Sequence, residues 1–299
     1  MTRALVRRRH RGLALLCAAA CFTCAALGSD RASAAQSQAP AFPSPEEIER
    51  DLLRALNGER TARGLPVLGL SPALSRLART HSAELAEREV LAHDSAAGLS
   101  FTERMIAAAL AFASGAENVA RSGTHVAAFI HQSFMESPGH RENILNPLFD
   151  EVGIGIVRGR DGAYYVTEDF RRAVVEKPAT EVRAMVLDML NRARTAAGRA
   201  PVVLLEEAER TADALAKEEG TGRPLPPLPA FNGPAFARIA IGPELEKIAS
   251  TLRSPDLAEF GRAGIGVWFG RPPGYPGGAY VVCVVLIKDR ARTSASPAS

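Results

Sequence analysis

Apolar residues recur at helical spacing through Ile48, Leu52, Leu53 and Leu56, directly behind the run Ser44-Pro45-Glu46-Glu47. Serine as the cap, proline at the first helical position and glutamate three residues after the serine form a reciprocal capping pattern, so a helix is expected to start here. Gly64-Leu65-Pro66 ends it, and Ser71-Pro72 opens a second helix whose buried stripe is Leu74, Leu77, Ala78, Leu85 and Ala86. The chain then reads as a loop carrying His93, a helix over about 101–111, a turn at Ser114-Gly115 and a helix over 124–135. Ser137-Pro138 starts a further short helix, with His140 in its first turn, where the positive end of the helix favours a neutral imidazole. Residues 153–157 and 163–169 alternate as a hairpin with its turn over 158–162. Helices first and strands last argue for an α+β fold with a sheet covered by helices.

The second half echoes the first. Leu56-Asn57-Gly58-Glu59-Arg60-Thr61-Ala62-Arg63-Gly64 returns as Leu190-Asn191-Arg192-Ala193-Arg194-Thr195-Ala196-Ala197-Gly198, and Pro66-Val67 as Pro201-Val202. Near the other end, Gly153-Ile154-Gly155-Ile156 returns as Gly264-Ile265-Gly266-Val267, and Ala163-Tyr164-Tyr165-Val166 as Ala279-Tyr280-Val281-Val282. Spaced identities in the same order predict a tandem duplication. The middle of the second copy differs: Gly222-Arg223-Pro224-Leu225-Pro226-Pro227 stands where His93 should fall, and Ser254-Pro255 runs into Asp256-Leu257 without the Gly-His-Arg segment. The second copy is therefore expected to keep the scaffold and lose the polar site.

Composition changes this picture at the N-terminus. Arginines 3, 7, 8, 9 and 11, an apolar run over 13–27 and Ala32-Ser33-Ala34 read as a secretory signal cleaved after Ala34, although an uncleaved anchor, a lipoprotein leader ending at Cys21 and twin-arginine export remain alternatives. Removing 1–34 takes away six arginines and Asp30, which turns the formal charge of +3 into −2. The basic balance thus belongs to the leader, and nucleic acid is not an expected partner. Three of the four cysteines leave with it, so Cys283 stands alone, has no intramolecular disulfide partner and is expected to be a small buried apolar residue. The expected organisation is a leader (1–34), a linker (35–46), a first domain (47–171), a degenerate copy (180–290) and a disordered tail (291–299), with no transmembrane segment in the mature chain.

Three segments of the first copy carry candidate chemistry: the His93 loop, Gly115-Ala116-Glu117-Asn118-Val119-Ala120, and Ser137-Pro138-Gly139-His140-Arg141-Glu142-Asn143-Ile144-Leu145 followed by Glu151-Val152-Gly153-Ile154-Gly155. In this order they resemble the CAP superfamily (cysteine-rich secretory protein, antigen 5 and pathogenesis-related 1; the SCP domain) in its bacterial form. The resemblance implies an α-β-α sandwich with a shallow cleft of two histidines and acidic residues that in some members binds a divalent metal such as Zn2+. Carried over by position, His93, Glu117 and His140 are the cleft and metal candidates, supported by Asn118, Arg141, Asn143 and Glu136. Phe134 and Ser137 stand where eukaryotic members place an aromatic residue and an acid, with Glu136 one residue from the acid position.

Two imidazoles and a carboxylate supply nitrogen and oxygen ligands and leave a coordination position open. The same residues also read as scaffold, with Glu117 and Asn118 bonded to neighbouring backbone and His140 and Arg141 bracing a helix. His81 is expected to be packed or solvated on its helix, and His125 and His131 to lie at the surface. No G-x-S-x-G, H-E-x-x-H or glycine-rich phosphate loop occurs. Ser95 and Ser137 are the nucleophile candidates nearest the histidines, and neither has an evident orienting partner. The expected function is an exported, non-catalytic binding module for a lipid or sterol, a cell-wall fragment or a protein. The alternatives are a metal-assisted or serine-type hydrolase using the same cleft, and a purely structural envelope protein.

Overall fold

The Ser44 hydroxyl accepts the Glu47 N–H at 3.2 Å while the Glu47 carboxylate accepts the Ser44 N–H at 2.7 Å, and this capping box opens α1 (Pro45–Ala62). In the computed structural model residues 42–288 are described; the expected leader, most of the linker and the tail 291–299 lie outside the described residues. After α1 come β1 (Gly69–Leu70), α2 (Pro72–Arg88), α3 (Phe101–Ala107), β2 (Phe112–Ser122), α4 (Ala127–Glu136), α5 (Pro138–Leu145), β3 (Glu151–Arg158) and β4 (Tyr164–Ala173). The strands form one sheet in the order β1-β3-β4-β2, with β1 parallel to β3 and the other pairs antiparallel.

Alternation along β3 builds two layers on this sheet. Val152, Ile154 and Ile156 point to one face and join Val166 and Phe170 of β4 in a core with Leu52 and Leu56 of α1, Ile130 and Phe134 of α4, and Ile144 of α5. Gly153 and Gly155 face the other way, where α2 lies so close that a Cβ on Gly153 would sit 2.2 Å from the Leu74 carbonyl carbon and one on Gly155 2.3 Å from the Arg79 nitrogen. Helices therefore cover both faces, which is the α-β-α sandwich, and glycine is the side chain that this helix-to-strand distance admits.

The second half has α6 (Ala179–Ala196), β5 (Val203–Leu204), α7 (Glu206–Gly220), β6 (Ala235–Gly242), α8 (Leu245–Leu252), a 3-10 turn (Pro255–Glu259), β7 (Phe260–Gly270) and β8 (Ala279–Lys288). Its sheet has the order β5-β7-β8-β6, with the same parallel and antiparallel pairs. The repeated words have physical counterparts. Asn57 bonds both backbone groups of Leu68, at 3.0 and 2.8 Å, and Asn191 accepts the Val202 N–H at 2.8 Å. Three residues on, the buried guanidinium of Arg60 donates to the carbonyls of Pro66, Ile144, Asn146 and Phe149, and that of Arg194 to Ala200, Ala258 and Phe260. Each arginine thus pins its helix to the segment entering the central strand through charge-assisted bonds. Gly264 and Gly266 lie under α7, where a Cβ would approach Ala208 and Ala212 to 2.0 and 2.1 Å. The halves meet where the Phe112 N–H donates to the Gly277 carbonyl at 2.8 Å.

The structure corrects several expectations. The helix over 101–111 stops at Ala107, and the supposed turn at Ser114-Gly115 lies inside β2. Ser71 and Ser137 occupy N-cap positions, yet neither side chain makes a capping bond. His131 is buried, because Ala127, Ile130, His131 and Phe134 form the inward stripe of α4 at helical spacing. His125 is half-buried, with its ring 5.9 Å from that of Tyr164. Cys283 is buried as expected, and burial pushes its thiol up to about 12, which leaves it protonated and inert. No helix among the described residues is long and apolar enough to cross a membrane.

The glycine contacts give a direct test. Gly155→Ala is expected to lower stability by about 2–3 kcal/mol, because backbone has to move to admit the methyl group. Gly139→Ala on α5, with nothing within 4 Å, is expected to change stability by under about 1 kcal/mol, in the stabilising direction. Urea unfolding of both variants checks this, and equal effects would contradict the close approach of α2.

Candidate functional site

β2 carries polar side chains to both faces of the sheet. Its register with β4 sets Glu117 opposite Asp169 and Asn118 opposite Glu168, and directly paired residues share a face. One acid pair therefore faces α2, and one Asn–Glu pair faces α5.

On the α2 face the Glu117 carboxylate is buried, with a donor on each oxygen. Oε1 accepts from Nδ1 of His93 at 2.9 Å, and Oε2 accepts from the guanidinium of Arg104 on α3. The second capping box, between Ser100 and Glu103, starts α3 and sets Arg104 over this acid. The same guanidinium donates to the carbonyls of His93 at 2.6 Å and Leu99 at 3.1 Å, so one cation holds both the acid and the loop that presents His93. His81 reaches the same place from α2. Its Nε2 lies 3.1 Å from the Ala92 carbonyl and 3.7 Å from Glu117 Oε2, and burial lowers its pKa and keeps it neutral. A neutral ring donating from Nε2 to Ala92 adds no charge to the pocket.

Asp169 lies beside Glu117 with neither oxygen given a donor. Burial, and then the charge of Glu117, hold its pKa well above the ordinary carboxylate value, against the opposing pull of Arg104. Two carboxyls sharing one site do not both ionise when water is excluded. Asp169 therefore keeps its proton, and Glu117 carries the charge opposite Arg104.

On the α5 face, Asn118 Nδ2 donates to Glu168 Oε2 at 3.0 Å and to the His140 carbonyl at 3.2 Å, while its Oδ1 accepts from Asn143 at 2.9 Å. This amide fixes the helix that presents His140. The His140 ring is half-buried and meets Phe134 edge-on at 5.2 Å. Burial first, and the neighbouring His93 second, push its pKa down, so the imidazole is neutral near neutral pH. His93 is the open member of the pair, with 61% of its side chain exposed.

The sequence candidates thus divide. His93 is bonded to Glu117, His140 lies near enough to His93 to feel its charge, and Asn118 and Asn143 bond beneath the helix that carries His140. Glu136 accepts from Gln132 along the exposed side of α4, and Arg141 donates to the Met135 carbonyl, so both serve their helices. Ser95 is buried with its hydroxyl accepting the Leu99 N–H. Arg104, Asp169 and Glu168 are participants that sequence reasoning passed over. Their only local signal is the capping box for Arg104 and the β4 alternation for the acids.

The expected metal set is not assembled: among the described residues no group of three or more His, Cys, Asp or Glu side chains is arranged to hold an ion. The physical reason lies in Glu117, whose two oxygens are committed to Arg104 and His93.

Residues 53–170 match the family model described as CAP, the cysteine-rich secretory protein family. This segment, 118 of the 299 residues, is thus similar to that family. The uncharacterized protein YkwD of Bacillus subtilis (strain 168) is 31% identical over 114 residues, which is 38% of this chain and 44% of that protein, so the chain spans less than half of that relative. An extracellular SCP-domain protein of Bacillus anthracis is similar in structure at 26% identity and a TM-score of 0.37, over 43% of this chain and 42% of that one. An outer surface protein of Borrelia burgdorferi matches at 19% identity and a TM-score of 0.41, over 44% of this chain and 96% of that one.

Glu168 supplies the test. Burial raises its pKa from 4.5 to about 7, with the Asn118 bond pulling the other way. The folded state thus holds this proton more tightly than the unfolded chain, so stability is full below about 4.5 and is lost as pH rises to about 7. The loss amounts to roughly 3 kcal/mol and is flat above that window. Glu168→Gln keeps the acceptor for Asn118 and removes the titration. The difference in unfolding free energy between variant and wild type is expected to grow in favour of the variant across this window. A pH-independent difference would contradict the placement, and Asp169, common to both proteins, cancels.

Proposed function

We propose that this chain is an exported, non-catalytic binding protein whose CAP domain recognises its ligand at the cleft between His93 and His140. The observation that carries the reading is the engagement of Glu117: its two carboxylate oxygens accept from His93 and Arg104, so the buried acid serves to orient an imidazole. The arrangement offers an outward Nε2 on His93, a neutral ring on His140 against Phe134, and a rigid floor. That suits recognition of a polar group flanked by apolar surface, as a lipid or sterol, a cell-wall fragment or a protein side chain would present. Export is supported by the arginine-rich start, the apolar run and the Ala-x-Ala site.

We read the second half as a tandem copy that has kept the scaffold and lost the cleft. The shared strand order, the Asn57/Asn191 and Arg60/Arg194 bonds and the paired glycines support this. No counterpart of His93, Glu117 or His140 follows in its sequence.

One observation favours a second reading. An imidazole held at Nδ1 by a carboxylate is also the arrangement of a general base or of a metal-bound histidine. A hydrolase would then use His93 Nε2, with Ser137 or a metal-activated water supplying the nucleophile. Three measurements on wild type and His93→Ala/His140→Ala separate the readings. Peptide and ester panels, with and without zinc, are expected to give no turnover above buffer; turnover lost in the double variant would install the hydrolase. Zinc calorimetry is expected to show no saturable binding, and stoichiometric binding lost in the double variant would establish a two-histidine metal site. Ligand-detected NMR with phospholipid, sterol and muropeptide probes is expected to yield at least one binder that the double variant releases. No such binder in any class would remove the binding reading.

A further inference from the structure

After α2 the first half places its His93 loop; after α7 the second half places Arg223-Pro224-Leu225-Pro226-Pro227-Leu228-Pro229 instead, four prolines in seven residues. Proline fixes its own φ and turns the residue before it to the extended region, and every residue of this run is a proline or precedes one, so the backbone is biased to a polyproline II helix. Residues 224–230 accordingly form neither helix nor strand and make no hydrogen bond among the described residues, as befits a helix without internal bonds. Leu228 and Phe231 pack on the apolar cluster of Val281, Cys283 and Val285, and their spacing of three is the repeat of that helix. One edge of the run is thus held on the body of the second half. Pro224 and Pro227, and Pro226 and Pro229, repeat at the same spacing along the other two edges, and all four are exposed.

We propose that this run is a preformed recognition segment for a partner protein whose domain carries a groove lined with aromatic side chains. The chemistry of the run selects that partner. Proline has no N–H, so the segment cannot extend a partner's sheet as an added strand or join a helix. It offers unpaired carbonyl acceptors and the flat faces of proline rings, which aromatic rings with Tyr O–H or Trp N–H donors among them can take. The run is also ordered before any partner arrives, since the Arg223 N–H donates to the Glu218 carbonyl at one end and the Pro234 carbonyl accepts the Lys288 N–H beyond the other, both at 2.9 Å. Binding therefore costs little chain entropy. Charge is not the selecting feature, because the Arg223 guanidinium already meets the Glu218 carboxylate at 2.6 Å. This inference rests on the second half and is independent of how the His93 cleft is read.

The test uses an SH3 domain and a WW domain as probes, both of which take proline-rich helices in aromatic grooves. Each probe is labelled with nitrogen-15 and titrated with the unlabelled full chain. At least one is expected to bind saturably, with signal shifts centred on its groove and on the indole N–H of the groove tryptophan. Pro226→Ala/Pro229→Ala, which strips one exposed edge, is expected to weaken that binding at least about tenfold. Replacing the groove tryptophan of the probe by alanine is expected to do the same, and it decides the matter with this chain unaltered if the proline variant does not fold. Arg223→Ala is expected to weaken binding by less than about threefold, since an exposed ion pair contributes little. Failure of both probes to saturate, shifts away from the groove, or unchanged affinity in the proline or tryptophan variant would overturn the proposal. A loss in Arg223→Ala as large as that in the proline variant would also overturn it, by making the contact one of charge.

Discussion

A carboxylate held out of water needs a cation beside it, and Glu117 has Arg104. Much of the first half's functional face depends on that pair. It ties α3 to β2, because Arg104 stands on the one and Glu117 on the other. It fixes the loop over 93–99, because the same guanidinium gathers the His93 and Leu99 carbonyls. It also sets the protonation of its surroundings: with one cation for two acids, Asp169 stays protonated, and with burial on all sides His81 stays neutral. What reaches solvent is a pair of imidazoles, His93 held by Glu117 and His140 held through its backbone by Asn118. The placing of His93 is thus an outcome of internal electrostatics, and the buried acid beneath it is a support.

The two faces of β2 explain why the signature segments occur together. Glu117 points towards α2 and positions the His93 loop, while Asn118, the next residue, points towards α5 and positions the His140 helix. A strand alternates its side chains, so two adjacent polar residues are the shortest way to anchor two separate segments across one sheet. Glu168 and Asp169 repeat the same division on β4. The cost is a sheet interior with several titratable groups, two of which hold protons that ordinary carboxyls would release.

Local rules made part of this legible in the chain. The capping box at Ser44, the apolar stripes of α1 and α2 and the alternation of β3 and β4 are decided by neighbouring residues, and each stands where the pattern set it. β2 escaped because Phe112-Ala113-Ser114-Gly115-Ala116-Glu117-Asn118-Val119-Ala120-Arg121-Ser122 has no apolar alternation. It becomes a strand by pairing with β4 and by burying its polar groups against partners distant in sequence. Arg104 escaped for a related reason: an arginine on a short helix reads as solvent-facing until the acid it covers is known. His131 misled through its polarity, since spacing alone would have set it on the inward stripe of α4. The resemblance to the CAP family supplied His93, Glu117 and His140 together, and the structure adds the bonds from His93 and Arg104 to Glu117.

The central claim is that Glu117 is spent on its neighbours and holds His93 by Nδ1. A carboxylate only accepts, so the neutral His93 ring must carry its proton on Nδ1 and leave Nε2 bare towards solvent. The tautomer can be read from a long-range proton–nitrogen correlation spectrum of the nitrogen-15-labelled protein, at a pH where His93 is neutral, with the signals assigned by His93→Ala. The account predicts a protonated Nδ1 and an unprotonated Nε2 in the wild type, with that preference weakened in Glu117→Gln, whose amide can donate as well as accept. A His93 ring protonated on Nε2 in the wild type would contradict it, since Glu117 would then be free to act as something other than a support.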